Sequence, residues 1–360
     1  MQKTPTNKDI ECCVYCPTLC LSRCPVGRAS GNVGLSPQSK QLSVWRIRKH
    51  LVEPSINTLA PAHHCLDCLA CRELCDHNIN VPANLAAARI ELARQAGQLV
   101  PAEACRYDEE AAWARLRGMA PSWRRVDQCQ ALLVPGLEML REENTDLLEA
   151  LFRTLDRLGD LVVGVTRDSV LECGHHPYAL GHHELAEEAA RTSRKRFQRY
   201  SKVVFASPHC ASFVRLKWPE AGLNLDKQYA TLLEFLGRRI DFNRAGFYNR
   251  KVTYHDPCHF GRHLGLYQLP RDILKWATNS RAVEMLYTRE RSLCCGGGYP
   301  VPEVAPQLAS GIAAALMQEA LATGAEELVI ACAQCRSLLQ GLPGGLPVRH
   351  ILEILAEVEP

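Results

Sequence analysis

This chain of 360 residues lacks a long apolar run, a strong net charge and a glycine-rich nucleotide motif. No apolar run approaches the roughly 18 residues of a membrane-spanning helix, so any membrane contact would come through a partner. The segment Met1–Asp9 leads into no apolar core of a secretory signal, and we expect a cytoplasmic protein. The net charge of +3 gives no reason to expect a nucleic-acid partner. No dinucleotide fingerprint follows a predicted strand, so flavin or NAD is expected in a partner subunit and not in this chain.

Cysteine, by contrast, is abundant: the chain has 18. Nine lie within residues 12–75, Cys105 and Cys129 stand alone, and seven lie between Cys173 and Cys335. Disulfide scaffolds are usually short and secreted, whereas clustered cysteines in a reducing compartment are typically metal ligands or redox thiols. The distribution therefore predicts metal binding, with Cys105 and Cys129 as small buried apolar residues.

The predicted elements divide the chain into an α-helical part and an α/β part. We expect an all-helical domain over residues 1–100, wrapped around cysteines, and a connecting helix and linker over 101–126. Beyond it, short β-rich runs alternate with helices such as Glu184–Arg199 and Gln307–Ala320, which is typical of a mostly parallel sheet. The predicted strands are Ala131–Val134, Leu161–Val165, Lys202–Ala206, Val252–His255, Ala282–Leu286 and Leu328–Ala331.

The α/β part also repeats itself. Gly136 matches Cys258, Glu172 matches Cys294, and Ser207 matches Cys332, with offsets of 122 to 125 residues. We therefore expect two similar α/β lobes, over 127–250 and 251–360, with the complete cysteine set only in the second.

The helical part carries two cysteine motifs with ferredoxin spacing. The first places its cysteines at positions 13, 16, 20 and 24, and the second at positions 65, 68, 71 and 75, with Cys12 as a spare neighbour. A [4Fe–4S] cubane needs four thiolates, and in two-cluster ferredoxins the fourth comes from the other motif. We therefore expect one cubane on Cys13, Cys16, Cys20 and Cys75, and a second on Cys65, Cys68, Cys71 and Cys24.

A pair of structural zinc sites is the alternative for these motifs. Structural zinc usually takes paired C-x2-C units that are well separated in sequence, whereas two runs of four closely spaced cysteines favour iron–sulfur clusters. A zinc-stabilised interaction protein without a redox role nevertheless stays open as an alternative function.

A third motif lies near the C-terminus. It consists of Cys258 in a His-Asp-Pro-Cys-His segment, Cys294-Cys295 followed by three glycines, and Cys332-x2-Cys335. We expect all five thiols where strands give way to loops, so that they converge at one end of a parallel sheet. Glycines there would let the backbone approach a bulky inorganic centre, and the vicinal pair suggests an unusual cluster.

The first lobe keeps only part of this motif. Three of the five positions are Gly136, Glu172 and Ser207, which leaves Cys173 and Cys210. Two thiolates cannot hold a cluster unaided, so we expect a degenerate lobe kept for packing. A mixed site that also uses His175, His176 and His209 is the alternative.

The C-terminal motif resembles the cysteine-rich CCG domain of the heterodisulfide reductase catalytic subunit. Related domains occur in iron–sulfur subunits of glycolate oxidase, anaerobic glycerol-3-phosphate dehydrogenase and lactate-utilisation systems. The N-terminal motifs, with Ser36–Lys40 after the first, resemble the helical ferredoxin domain of those proteins. The resemblance implies a noncubane [4Fe–4S] cluster held by Cys258, Cys294, Cys295, Cys332 and Cys335.

From this resemblance we expect an electron-transfer subunit of a redox complex. It would relay electrons between a flavoprotein dehydrogenase or electron-transfer flavoprotein and an acceptor, such as a membrane or quinone-side subunit. The alternative is a disulfide reductase with an open, basic pocket beside Cys258, for which His255, His259, Arg262 and His263 are candidates.

Overall fold

The fold is known from a computed structural model that describes residues 7–121, 129–158, 163–225, 228–243, 246–280 and 282–358. Its first part is helical, as predicted. Local signals begin these helices: Ser36 accepts a hydrogen bond from the Ser39 amide ahead of a proline, and Asn80 caps the long fifth helix. The helices are α1 (Asn7–Val14), α2 (Pro25–Ser30), α3 (Pro37–Arg48), α4 (Ile56–His63) and α5 (Val81–Ala96).

The core of this helical part contains cysteine thiols as well as apolar side chains. Val44, Leu59 and Leu85 are buried in one apolar cluster that also includes Cys13 and Cys71. Burial of such side chains stabilises the helices at about 25 cal/mol for each Å² removed from water. The cysteines are therefore held in a packed interior.

A connecting helix, α6 (Glu109–Met119), follows the helical part. Asp108 caps it by accepting a hydrogen bond from the Ala111 amide. The end of the predicted linker, residues 122–126, lies outside the described residues.

The next segment forms a parallel sheet with the strand order β2-β1-β3-β4. Its strands are β1 (Ala131–Val134), β2 (Val163–Gly164), β3 (Lys202–Phe205) and β4 (Gln228–Thr231). Its helices are α7 (Thr145–Arg157), α8 (His175–Leu180), α9 (His183–Phe197), α10 (Pro208–Leu216) and α11 (Leu232–Gly237). Sequence analysis missed β4, and the first two residues of the predicted 161–165 strand lie outside the described ranges.

A second parallel sheet has the order β5-β6-β7. Its strands are β5 (Val252–Tyr254), β6 (Glu327–Ile330) and β7 (Val348–His350). A π-helix spans His259–His263. The α-helices are α12 (Gln268–Thr278), α13 (Val301–Val304), α14 (Pro306–Leu321), α15 (Ala333–Leu339) and α16 (Ile351–Glu357).

The predicted strand Ala282–Leu286 is wrong. Only Val283 pairs, through an isolated bridge to Thr253, and Leu286 is 81% exposed. The pairing beside β5 stops at this one bridge, although Met285 in the same segment is buried. Sequence analysis also missed the short strand β7, because three residues are too few to show the alternation of apolar and polar residues that indicates a strand.

The two sheets share one apolar core. Leu151 and Leu155 of α7 and Ile351 and Leu355 of α16 are buried in the same cluster. The Thr154 hydroxyl also donates a hydrogen bond to the Leu352 carbonyl at 3.0 Å. This shared core fixes how the loops at the ends of the two sheets face each other. Within the described ranges, no helix has both the length and the apolar character needed to cross a bilayer.

Candidate metal centres

The first group of thiols lies beside α1. Cys13 is in the last turn of that helix, Cys16 and Cys20 follow it, and Cys75 arrives from the loop before α5. Burial, followed by the neighbouring thiols of Cys20, Cys16, Cys75 and Cys12, raises the pKa of Cys13 to about 12. The four cysteines that sequence analysis assigned to one cubane are thus neighbours. Cys16, Cys20 and Cys75 are only half-buried.

The second group lines one small cavity. Cys24 caps α2, and its sulfur accepts a hydrogen bond from the Gly27 amide at 3.4 Å. The other three thiols, those of Cys65, Cys68 and Cys71, come from a single loop. Two non-glycine residues of that loop, Asp67 and Leu69, have positive φ values of 50° and 57°. Such conformations are uncommon for these residue types and mark a loop held in place by its surroundings.

Three buried cations lie close to these thiols, and one of them, Lys40, lines the cavity. Lys40 Nζ lies 3.9 Å from Cys24 Sγ, Arg89 acts electrostatically on Cys65, and Arg262 donates to the Cys68 carbonyl. Their exposed fractions are 2%, 3% and 5%. None of them forms an ion pair with a carboxylate among the described residues. A buried charge without a counter-ion costs several kcal/mol, so the cavity requires negative charge. Four metal-bound thiolates would supply it.

The C-terminal group contains five buried thiols. Cys294 interacts with Cys258 and Cys295, while Cys335 interacts with Cys295 and Cys332. Hydrogen bonds from the thiols of Cys294 and Cys335 hold the pKa of Cys295 well below its usual range. Cys258 and Cys332 follow β5 and β6, as expected, but the vicinal pair follows no strand.

His255 lies closer to these thiols than the sequence indicated. Its Nε2 is 3.8 Å from Cys335 Sγ, and the candidate ligand atoms of His255, Cys295 and Cys335 all lie within 4.8 Å of one another. Its Nδ1 is 3.4 Å from the Ser292 hydroxyl. The imidazole can therefore hydrogen-bond to sulfur or act as an additional ligand. The only sequence signal was its position ahead of Cys258.

Asp256 anchors the loop that carries Cys258. Its two carboxylate oxygens accept hydrogen bonds from Arg271 Nη1 and Nη2 at 2.7 and 2.8 Å, and the Arg289 amide donates to it at 2.8 Å. Arg271 also binds Glu284. The aspartate of this motif thus has a structural role, because a buried bidentate pair fixes the loop geometry.

The second and third groups of thiols are in direct contact. The Cys68 and Cys294 side chains interact, and this interaction, followed by burial, raises the pKa of Cys68 well above its usual range. Arg262 spans the same junction: it donates to the Cys68 carbonyl and, at 2.7 Å, to the Ser292 carbonyl. His263 Nε2 lies 2.7 Å from the Asp67 carbonyl, so it also joins the two regions. Sequence analysis did not predict this contact, since the two segments lie more than 200 residues apart.

The first α/β segment brings Cys173 and Cys210 together, with their sulfurs 3.2 Å apart. His209 instead pairs with Glu138, at 3.3 Å between Nδ1 and Oε1. Within the described residues, neither cysteine belongs to a group of three or more ligand atoms that all lie within 4.8 Å of one another. The geometry therefore gives no support to the alternative of a mixed Cys/His metal site. Cys105 and Cys129 are half-buried, and not fully buried as sequence analysis predicted.

A pocket of about 250 Å³ opens between the helical part and the α/β part. Its polar lining is mainly basic, and His259 and Arg262 place it beside Cys258. His259 Nε2 and one terminal nitrogen of Arg262 are buried and have no partner within the described protein. The lining includes Arg72, Arg89, His175, Lys217, His259, Arg262 and His263.

The chain is similar to one known domain family and to subunits of several known redox enzymes. Residues 252–340 match the CCG family, described as a cysteine-rich domain. The chain is 27% identical to a subunit of the dihydromethanophenazine:CoB–CoM heterodisulfide reductase of Methanosarcina barkeri, over 97% of this chain and 94% of that protein. It is 25% identical to a subunit of the fumarate reductase (CoM/CoB) of Methanothermobacter marburgensis, over 97% and 72%. It is 29% identical to EtfAB:quinone oxidoreductase of Syntrophomonas wolfei, over 42% and 21%. The resemblance to heterodisulfide reductase predicted from the motifs is confirmed.

Proposed function

We propose that this protein is an iron–sulfur electron-transfer subunit of a multi-subunit redox complex. The observation that carries the proposal is the cavity lined by four thiols, with the buried cations Lys40, Arg89 and Arg262 acting on those thiols and with Cys68 interacting with Cys294 of the C-terminal group. Such a cavity suits an anionic metal cluster, and contact between the groups suits electron transfer. The similarity to the heterodisulfide reductase of Methanosarcina barkeri supports the same function.

The proposed ligands are those expected from the motifs. Cys13, Cys16, Cys20 and Cys75 would hold one [4Fe–4S] cubane, and Cys24, Cys65, Cys68 and Cys71 a second. The third cluster, of noncubane type, would be held by Cys258, Cys294, Cys295, Cys332 and Cys335. When bound, these clusters supply one-electron oxidation and reduction. The polypeptide positions the thiols, excludes water and, through its buried cations, favours the extra negative charge of reduction.

The burial of the cysteines suggests the order in which electrons pass through the three groups of thiols. The first group has three half-buried cysteines, whereas all five thiols of the C-terminal group are buried. We propose that the first group exchanges electrons with a partner at the surface and that the second connects it to the third. The partner would be a flavoprotein dehydrogenase or an electron-transfer flavoprotein, as the name of the Syntrophomonas relative suggests. A membrane or quinone-side subunit would complete a complex located in the cytoplasm or at the membrane.

Two further proposals concern organisation. The domain limits are 1–100, 101–126, 127–250 and 251–360, and the last two segments are related α/β lobes. The backbone supports this relation: Gly174 and Gly296 have φ values of 91° and 92°, and a Cβ on either would lie 2.4 Å from a carbonyl oxygen, of Ala186 or Ala309.

Metal and sulfide analysis of anaerobically purified protein tests the function. We expect roughly twelve irons and as many sulfides per chain, with two centres reducible by dithionite. Stoichiometric zinc without acid-labile sulfide would instead establish the zinc-stabilised interaction protein. A pull-down under anaerobic conditions would then identify the partner subunit.

A disulfide reductase is the second candidate, and the basic pocket beside Cys258 favours it. The buried nitrogens of His259 and Arg262 that have no partner in the described protein could bind an anionic disulfide there. Protein reduced with dithionite should then cleave such a disulfide, and Cys295→Ser should abolish the reaction. Intact clusters without any cleavage would eliminate this candidate and leave electron transfer.

A further inference from the structure

Cys173 and Cys210 form a thiol pair that lies outside all three proposed clusters. Their sulfurs are 3.2 Å apart, and the two residues are 2% and 6% exposed. The pair is held from both sides: Trp218 Nε1 donates to the Cys173 carbonyl at 3.0 Å, and the Cys210 amide donates to the Ser207 hydroxyl at 3.4 Å. The contact therefore belongs to a packed region.

The pair occupies the positions of Cys295 and Cys335 in the C-terminal motif. Gly174, after Cys173, has the same conformation and the same close approach to a helix carbonyl as Gly296, after Cys295. The first segment has thus kept the backbone that presents two thiols to each other. It has lost the other three positions, where Gly136, Glu172 and Ser207 carry no thiol.

Metal binding does not account for the pair. A cluster requires more thiolates than two, and a single metal ion requires further ligands close by. Neither thiol belongs to such a ligand group among the residues that the structure describes. The hydrogen bond to Cys173, together with burial, raises the pKa of Cys210 well above its usual range, so Cys210 is a thiol and not a metal-bound thiolate in this arrangement.

We propose that Cys173 and Cys210 are a redox-active dithiol that forms a disulfide by exchange with a small organic disulfide. One cysteine sulfur attacks the small disulfide, forms a mixed disulfide and releases one thiol. The second cysteine sulfur then attacks the mixed disulfide, closes the Cys173–Cys210 bond and releases the second thiol. The protein dithiol is oxidised, the small disulfide is reduced, and its two thiol products receive the two protons.

The surroundings supply what this exchange requires. Closing the bond shortens the sulfur separation from 3.2 Å to about 2.05 Å, a small movement for adjacent side chains. His175 and Phe213, which closely follow the two cysteines in sequence, form part of the wall of the basic pocket, which offers a route for a small disulfide.

The dithiol is tested on the full-length, anaerobically purified protein. Samples are equilibrated in buffers with different ratios of reduced to oxidised glutathione, acid-quenched, alkylated, digested and examined by mass spectrometry. We expect a Cys173–Cys210 linked peptide that appears in one two-electron transition and disappears when reduced glutathione is restored, with the iron content unchanged. Cys129, a solitary thiol, is the internal control and should form no intramolecular link.

Two results would overturn the proposal. One is that both thiols remain available for alkylation at every glutathione ratio. The other is that Cys210→Ser, or Cys173→Ser if the first variant does not fold, loses about four irons or a stoichiometric zinc, since the pair would then be a metal site. Neither cysteine is a proposed cluster ligand, so the outcome is independent of the electron-transfer function.

Discussion

Gly298 lies directly against the backbone of Leu66: a Cβ atom at position 298 would be only 1.9 Å from the Leu66 carbonyl oxygen. Gly298 is the last glycine after the vicinal cysteines, and Leu66 lies between two cysteines of the second N-terminal motif. The two loops approach so closely because position 298 has no side chain. This approach is what allows Cys68 and Cys294 to be in contact.

Replacing Gly298 with alanine should therefore separate the two loops. We expect a loss of about 1–3 kcal/mol in the free energy of unfolding, because the new methyl group overlaps with backbone that cannot rotate away. The matched control is Gly311→Ala in α14, where an added Cβ has nothing within 4 Å. That change should be neutral or slightly stabilising, since alanine favours helix. Denaturant unfolding measures both, and an unchanged Gly298→Ala midpoint would contradict the proposed close contact.

Replacing Lys40 with methionine should lower the reduction potential of the centre held by the second group of thiols. The buried ammonium lies 3.9 Å from Cys24 Sγ and stabilises the more negative, reduced state. Lys49→Met is the control, because Lys49 is exposed and pairs with Glu11. A redox titration followed by electron paramagnetic resonance gives the potential. Equal potentials in the wild-type protein and the Lys40 variant would show that the charge of Lys40 does not affect this centre.

Replacing Cys68 with serine should delete one cubane. We expect a loss of about four irons, with the first and third centres still detectable in the spectrum. Cys129→Ser should leave the iron content unchanged, because Cys129 is not a proposed ligand. Retention of all iron in the Cys68 variant, measured by metal analysis, would show that this residue is not a ligand.

Replacing Arg271 with methionine should destabilise the loop that carries Cys258. The change leaves the buried Asp256 carboxylate without its bidentate partner, and breaking such a pair typically costs about 3–5 kcal/mol. Arg250→Met is the control, because Arg250 and Glu326 form an exposed pair worth at most about 1 kcal/mol. Denaturant unfolding compares the two variants. Equal effects would mean that the Asp256–Arg271 pair contributes no more than an ordinary surface contact.

The sequence by itself determined the composition of the thiol groups and much of the local structure. Cysteines with two or three residues between them must lie close together, so the spacing around Cys68 already predicted neighbouring thiols. Helices such as α3 and α5 were predictable because their capping residues and prolines act locally. The short strands β4 and β7 were not, since a strand of three or four residues is defined by its partner more than by its own pattern.

Only the tertiary structure determined how the three groups of thiols are placed relative to one another and which charged residues lie beside them. The Cys68–Cys294 contact, the buried cations around Cys24 and the position of His255 depend on segments far apart in the chain. No local spacing constrains such pairs: they result from the packing of the helical part against the loops of the second sheet. Burial then gives these cations their effect, because a charge acts most strongly where water does not screen it.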